Sequence, residues 1–359
     1  MNILLIGRFY DESFAGFTAE CLERDLGHTV ARFDPGAPLV PFGSRSAFYL
    51  NRLVTKGHAA FKSTAKTLGL GGDGRALGRV AECAGAVDLV LSTHDLLTPA
   101  DATTVKALTG APLALWYPDP IWSFQKHMFL NAPYDFLFFK DPYLVDLLRR
   151  KVAAPTYYLP ECFSPDSLAA GGDAASPDSP YRTDICTAGN LYAYRVALFG
   201  HLSQWDVKLW GLPAPLWMDT HAIDGMIQNR FVGHGEKAKA FRGAKIVLNN
   251  LNPAEIWGTN VRTFEICGAG GFQLVDWRPG LAQLFEIGKE LVAFDDLADL
   301  KSKITHYLAA PDERLAIAAA GRARALRDHT YRHRLQLLLD TVGGRGRGFP
   351  MPAIQVDTA

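Results

Sequence analysis

A chain of 359 residues, 48% of them hydrophobic, is long for one compact core and favours two core-rich domains of about 150 to 200 residues each. Its 37 Lys and Arg cancel 37 Asp and Glu, which leaves no broad field for nucleic acid or an anionic membrane, so any anion must be bound locally. The five cysteines (Cys21, Cys83, Cys162, Cys186, Cys267) are scattered and never form CxxC, which argues against a disulfide frame and a zinc site and fits a reducing compartment.

The start, "MNILLIGRFY", turns polar too early for a signal peptide, and no later apolar run approaches the roughly 20 residues of a membrane span, so a soluble cytoplasmic protein is expected. "NILLIG" reads as a strand stopping at Gly7, Phe14 to Leu26 as a helix ended by Gly27, and "HTVARFD" as a second strand. Residues 38–84 are basic and aromatic without clear strands, with a mobile "GLGGDG" loop expected at 69–74. Order returns with "VDLVLSTHD", a helix from near Pro99, "APLALWYPDP", "YDFLFFKD" with a following helix, and "AAPTYYLPECF". Strands that are apolar nearly throughout and alternate with helices imply a parallel sheet covered on both faces.

Residues 164–181 then lose all periodicity in Pro, Gly, Ser and Asp and read as an interdomain linker. A second alternating series follows: "TDICTAGN", a helix over 194–203, "DVKLWG", a helix around 236–242, "AKIVLNN", a helix near 260, "FQLVD" and "LVAFDD". From Asp296 the pattern is helical, with Pro311 opening a helix whose first turn carries Asp312 and Glu313. The expected domains are 1–163 and 182–342, with a flexible tail at 343–359 that could also pack back on the first domain.

Ligands of open parallel sheets bind outside the carboxyl ends of the strands, which singles out the residues that end each strand. In the first half these are Gly7, His94 with Asp95, and Asp119. His94 and Asp95 set an imidazole and a carboxylate where a general base or a sugar-hydroxyl ligand belongs, although Asp95 could instead cap the helix near Pro99 and His94 could be a surface residue. Asp119, between two prolines in "WYPDP", is either a carboxylate held in one orientation or a plain turn residue.

In the second half a strand ends at Gly189 and Asn190, and Arg195 falls in the first turn of the next helix, where the macrodipole disfavours a cation. A diphosphate would resolve that conflict; a solvated surface arginine is the simpler alternative. "GTNVRTFEICGAGGFQLVD" (258–276) reads as a tight turn at Gly258, a cap at Thr259 or Asn260, and a buried helix carrying Arg262 and Glu265 on one face. Arg262 then adjoins a phosphate-ready helix end, and Glu265, one turn deeper, can accept from two ribose hydroxyls; alternatively the two form only an i, i+3 ion pair.

The stretch from Thr183 to Arg334, centred on "VRTFEICGAGGFQLVDWRPGLAQLFEIGKELVAFDD", resembles the donor half of GT-B glycosyltransferases, within them the CgeB-like (spore maturation protein) group; "NILLIG", "GHTVARFD" and "WYPDP" add weaker likeness. The resemblance implies two Rossmann-like, doubly wound α/β domains facing across a cleft, with a nucleoside-diphosphate-sugar donor on the C-terminal one and the acceptor approached from the N-terminal one. It implies no metal or other cofactor. By this likeness Glu265 matches the ribose-binding glutamate, Arg195 the diphosphate-binding cation, and Thr259, Asn260 and Arg262 the phosphate-facing turn; His94 falls where relatives put a sugar-contacting or catalytic residue. Gly7 and Asn190 complete the expected donor contacts, and His94, Asp95 and Asp119 the catalytic candidates. The E-x7-E spacing of retaining members is absent, because Trp257 stands eight before Glu265 and Glu255 is out of register. Inversion and retention therefore both stay open, as do an epimerase or hydrolase on the same fold and a non-catalytic sugar-nucleotide-binding or glycan-binding subunit.

Overall fold

The computed structural model describes residues 1–35, 85–120, 127–169 and 179–353; the expectations for 38–84 with its 69–74 loop, for Cys83, and for 170–178 of the linker lie outside them. Described residues fall into two compact units, one drawn from Met1–Phe139, Leu147–Tyr157 and Leu338–Gly348, the other from Lys140–Asp146, Tyr158–Leu337 and Phe349–Ala359.

The first sheet has the order β2-β1-β3-β4-β5-β6, from β1 (Asn2–Ile6), β2 (Thr29–Phe33), β3 (Leu89–Thr93), β4 (Leu113–Tyr117), β5 (Phe136–Phe139) and β6 (Thr156–Tyr158). Helix α1 (Phe14–Glu20) follows β1 and runs into a wider π turn at Cys21–Asp25, so the helix expected over 14–26 changes its winding midway. Helix α2 (Pro99–Thr109) separates β3 from β4, and α3 (Pro142–Val152) separates β5 from β6. β3 and β4 are buried at every position, as continuous apolar runs require when both faces are covered.

The second sheet has the order β11-β10-β9-β7-β8. Its strands are β7 (Thr183–Ala188), β8 (Val207–Trp210), β9 (Ala244–Asn249), β10 (Gln273–Asp276) and β11 (Val292–Phe294), with parallel pairings such as Ile185 beside Ile246. Along this part run α4 (Pro165–Ala169), α5 (Ala193–Gly200), α6 (His234–Gly243), α7 (Val261–Ala269), α8 (Leu281–Leu284), α9 (Leu297–Ala309), α10 (Pro311–Asp328) and α11 (Tyr331–Val342). One apolar layer joins α6 and α7 to the sheet through Phe241, Val247, Phe264, Ile266 and Val275. Within the stretch read as linker, α4 buries Leu168 in that same layer.

Arg334 of α11 ties the C-terminal return to the second unit. Its Nε donates to Pro160 O (3.0 Å), its Nη1 to Asp328 O (3.1 Å), and its guanidinium lies over the Phe264 and Phe349 rings. Of the tail 343–359, expected to be flexible, residues through 353 are described, and Phe349 donates its N–H to Tyr158 O (2.7 Å). The Arg334 stacking and the bond from Gln283 Nε2 to Met351 O (2.8 Å) also hold this end of the segment.

Arg334 Nη2 also donates to His329 Nδ1 (2.8 Å), and since a guanidinium only donates, the proton of that imidazole sits on Nε2 and is given to Leu284 O (2.7 Å). Burial, then the Arg334 charge, lowers the His329 pKa to about 3. The unfolded chain therefore binds the extra proton, and the contribution of His329 to stability is complete above the unfolded pKa of about 6.5 and is lost as pH falls toward 3. Acidification from about pH 7.5 to about pH 5 should remove about 2 kcal/mol through this one residue. Denaturant titrations of wild type and His329→Gln at both pH values check it; equal pH slopes would refute the assignment.

Candidate functional site

In the second sheet β8 lies on one side of β7 and β9 on the other, so the chain reverses its direction of strand addition at the β7/β9 pair. Such a switch point opens a crevice at the carboxyl ends of the two strands. Gly189 and Asn190 end β7 there, and Asn249 and Asn250 end β9.

Arg195, in the first turn of α5, is fully buried rather than solvated. Its Nε donates to Asn250 Oδ1 (2.9 Å), its Nη1 to Asn190 O (2.9 Å), and its guanidinium stacks 4.9 Å from the Tyr192 ring centroid. Tyr192 is fixed in turn by Asn250, whose Nδ2 donates to the phenol oxygen (2.8 Å). Arg195 Nη2 is buried with no hydrogen-bond partner among the described residues. Arg262, on the first turn of α7, donates from Nη1 to Ala188 O (2.8 Å).

The two guanidiniums meet over Gly189. A Cβ there would stand 2.7 Å from Arg262 Nη1 and 3.7 Å from Arg195 Nη1, and the backbone is at φ +124°, so only glycine suits the position. Neither arginine forms an ion pair with a carboxylate among the described residues. Burial, followed by the repulsion of Arg262, lowers the Arg195 pKa to about 9. Two adjacent cations with an orphaned buried N–H form a high-energy arrangement that an anion would relieve.

Asn260 caps α7, its Oδ1 accepting from Thr263 N–H (3.2 Å). Its amide also exchanges hydrogen bonds with Asn249, which donates to Thr263 Oγ1 and Gln273 Oε1 (3.0 Å each). Thr259 Oγ1 pairs with Thr263 Oγ1. The side chains of Thr259 and Asn260 are thus committed to a buried network that fixes the start of α7. Gly258 was expected as a tight turn; what the position requires is closeness, since a Cβ would lie 2.8 Å from Lys140 O.

Glu265 does not pair with Arg262. Its Oε1 takes the Lys237 ammonium of α6 at 2.8 Å, so the two charges of α7 have separate partners and the i, i+3 ion pair considered above does not form.

In the first unit, Gly7 is a packing position: its Cβ would run into Ala15 Cβ and stand 2.6 Å from Thr93 Oγ1. His94 has φ +69°, a left-handed conformation that is strained for a residue with a Cβ. Its N–H reaches Trp116 O (3.3 Å), its carbonyl accepts from Leu96 N–H (2.9 Å), and its ring packs edge-on against Phe14 and Tyr117. Asp119 Oδ2 stands 3.5 Å from His94 Nε2, while Nδ1 is buried with no hydrogen-bond partner among the described residues, so Nε2 is the ring nitrogen open to other groups. Asp95 stands apart from this pair. It neither caps α2, which Thr98 caps with Asp101 in a capping box, nor faces His94; its Oδ2 accepts Met128 N–H at 2.8 Å, and burial raises its pKa.

Three groups carry no motif in the sequence: Lys237, the Asn249–Asn250 pair, and a buried cluster in the second unit. In the cluster Lys140 Nζ bridges Glu255 Oε1 (2.7 Å) and Glu161 Oε2 (3.1 Å), and adjoining Asp141 Oδ2 accepts Ile256 N–H (2.8 Å). Burial alone would depress the Lys140 pKa, but the two carboxylates outweigh it and hold the ammonium well above its usual range. Glu255, the acid out of register before Glu265, is thus engaged by Lys140, and the loop entering α7 is clamped. Such long-range partners, 21 and 115 residues from Lys140, leave no local sequence signal.

Two parallel-sheet α/β units with these strand orders define the GT-B fold. Residues 185–340, which carry the Arg195 and Arg262 site, match a family model described as glycosyl transferase-like. Solved structures with the same fold include sucrose-phosphate synthase from Thermosynechococcus elongatus, 12% identical with a TM-score of 0.61 over 96% of this chain and 100% of that one. Anabaena HepE in complex with UDP-glucose is 13% identical at TM-score 0.63, covering 95% and 99%. The trehalose-phosphate synthase of Burkholderia xenovorans in complex with glucose-6-phosphate is 13% identical at 0.60, covering 95% and 100%. No curated protein matches the chain by sequence. Among the described residues no helix is long and apolar enough to cross a membrane.

Proposed function

We propose that the protein is a glycosyltransferase that moves a sugar from a nucleoside-diphosphate-sugar donor to an acceptor hydroxyl on a glycan, protein or small molecule. The observation that carries this reading is the Arg195 and Arg262 pair, two guanidiniums against one glycine without a carboxylate partner among the described residues. A diphosphate is the anion whose charge matches two cations, and its charge grows as the glycosidic bond breaks, so the pair stabilises the departing group without a metal. The glycosyl transferase-like match over 185–340, and similar folds solved with UDP-glucose and glucose-6-phosphate, support the same substrate class. On the resemblance of Thr183 to Arg334 we group the enzyme with CgeB-like proteins and expect hexosyl or related transfer in the cytoplasm.

In this reading Asn190 lends its carbonyl to orient Arg195, Thr259 and Asn260 shape the phosphate-facing turn, and Glu265 accepts from the ribose hydroxyls. Gly7 contributes close packing at the first unit's strand ends. His94, through Nε2 beside Asp119, serves as general base on the acceptor if the reaction inverts, and Asp95 supports the neighbouring loop.

The test is a thermal-shift screen of nucleotide sugars, followed by product analysis with an acceptor panel. The donor that stabilises wild type should stabilise Glu265→Ala clearly less, and His94→Ala should lose about 10²- to 10⁴-fold in kcat with donor affinity kept, if the reaction inverts. Equal stabilisation of wild type and Glu265→Ala would remove the ribose assignment. Donor consumed to free sugar or an epimer without regard to acceptor would replace transfer with hydrolysis or epimerisation.

A further inference from the structure

Lys237 lies on α6, and its ammonium reaches Glu265 Oε1 on α7 at 2.8 Å, with side chains 15% and 13% exposed. The two helices do not need this bond to pack, since Ala238 and Phe241 of α6 and Phe264 and Ile266 of α7 are all fully buried in one apolar layer. The ion pair therefore does something the apolar contact does not. It occupies one oxygen of Glu265, and no other hydrogen bond to this carboxylate forms among the described residues.

Glu265 shares a helix face with Arg262 three residues before it. An uncompensated carboxylate there would oppose the anion that Arg262 and Arg195 attract. A cation on Oε1 cancels that charge and fixes the plane of the carboxylate, while Oε2 keeps its capacity to accept.

We propose that Lys237 is a positioning residue for donor recognition: by holding Glu265 Oε1 it presents Oε2 to the ribose hydroxyls and makes the site selective for a ribonucleoside diphosphate over its 2′-deoxy form. This rests on the proposed ribose role of Glu265. Lys237 acts through Glu265, so its loss changes discrimination between the two sugars more than attraction for the diphosphate.

The experiment measures, by calorimetry, the affinity of UDP, GDP and ADP for the full chain, and takes the tightest together with its 2′-deoxy form. Wild type, Glu265→Ala, Lys237→Met, Lys237→Gln and Lys237→Arg are compared, each with its ligand-free melting temperature. Wild type should prefer the ribose form by roughly 10-fold or more, the worth of a hydrogen bond to a charged acceptor. Lys237→Met and Lys237→Gln should lose most of that preference and Lys237→Arg should keep it, a pattern that a merely stabilising ion pair would not produce.

If Glu265→Ala abolishes the preference while folded Lys237→Met or Lys237→Gln retains it, the positioning role is overturned and the ribose reading stands. If wild type shows no preference, binds none of the three nucleotides, or keeps its preference in Glu265→Ala, the ribose reading itself fails and this inference with it.

Discussion

Arg262→Ala is expected to weaken nucleoside-diphosphate binding by roughly 10- to 100-fold, the range for losing charge-assisted hydrogen bonds. The ligand-free protein should be no less stable than wild type. Arg262 gives Arg195 a like charge beside it, one of the causes that lower the Arg195 pKa to about 9, and removing that charge relieves the repulsion. What is lost in return is the bond from Nη1 to Ala188 O. Calorimetric titration with the diphosphate and a ligand-free melting curve give the two readings. Unchanged affinity would undo the diphosphate site; a large fall in ligand-free stability would show that Arg262 is mainly a structural tie.

Lys140→Met is expected to have the largest effect on stability. Glu161 and Glu255 would be left nearly buried and facing each other across the vacated position, with side chains 9% and 3% exposed. Breaking a buried ion pair by removing one partner costs about 3–5 kcal/mol, because the two carboxylates lose the ammonium they share and do not regain full hydration. For a unit of this size that is a fall in melting temperature on the order of 10 °C. Adding Glu255→Gln should return part of the loss, since one of the two facing buried carboxylates is then neutral. A fall of only a degree or two in Lys140→Met would mean that water reaches the cluster. Donor affinity should fall as well, because Lys140 holds the side chain of Glu255 in the loop whose backbone Asp141 and Arg278 fix just before Arg262.

Both arginines were visible in the sequence. Arg195 could be singled out because a cation in the first turn of a helix conflicts with the macrodipole, and Arg262 because a charge sits inside an apolar stretch; both are local contradictions, and local contradictions show in a sequence. Glu265 was visible for the same reason, but its partner was not, since the spacing suggested Arg262 three residues away and the ammonium comes from another helix. Asp95 shows the opposite limit. Its place at the end of β3 suggested cleft chemistry or a helix cap, and the outcome depended on a backbone N–H 33 residues away.

Alternation of apolar runs with helical periods was enough by itself to dictate two parallel-sheet units, because burial on both faces leaves a nearly unbroken apolar imprint on central strands such as β3 and β4. The glycine and asparagine that end β7, and the cap at Asn260, were likewise written locally, in residues whose backbone preferences are their own. Only the tertiary structure decided that β7 and β9 are neighbours at the switch point, that Arg195 and Arg262 converge on Gly189, and that Lys140 and Lys237 neutralise the acids around α7. Those pairings join residues far apart in the chain, and side-chain charge acts through space, so their partners are set by how the strands and helices assemble.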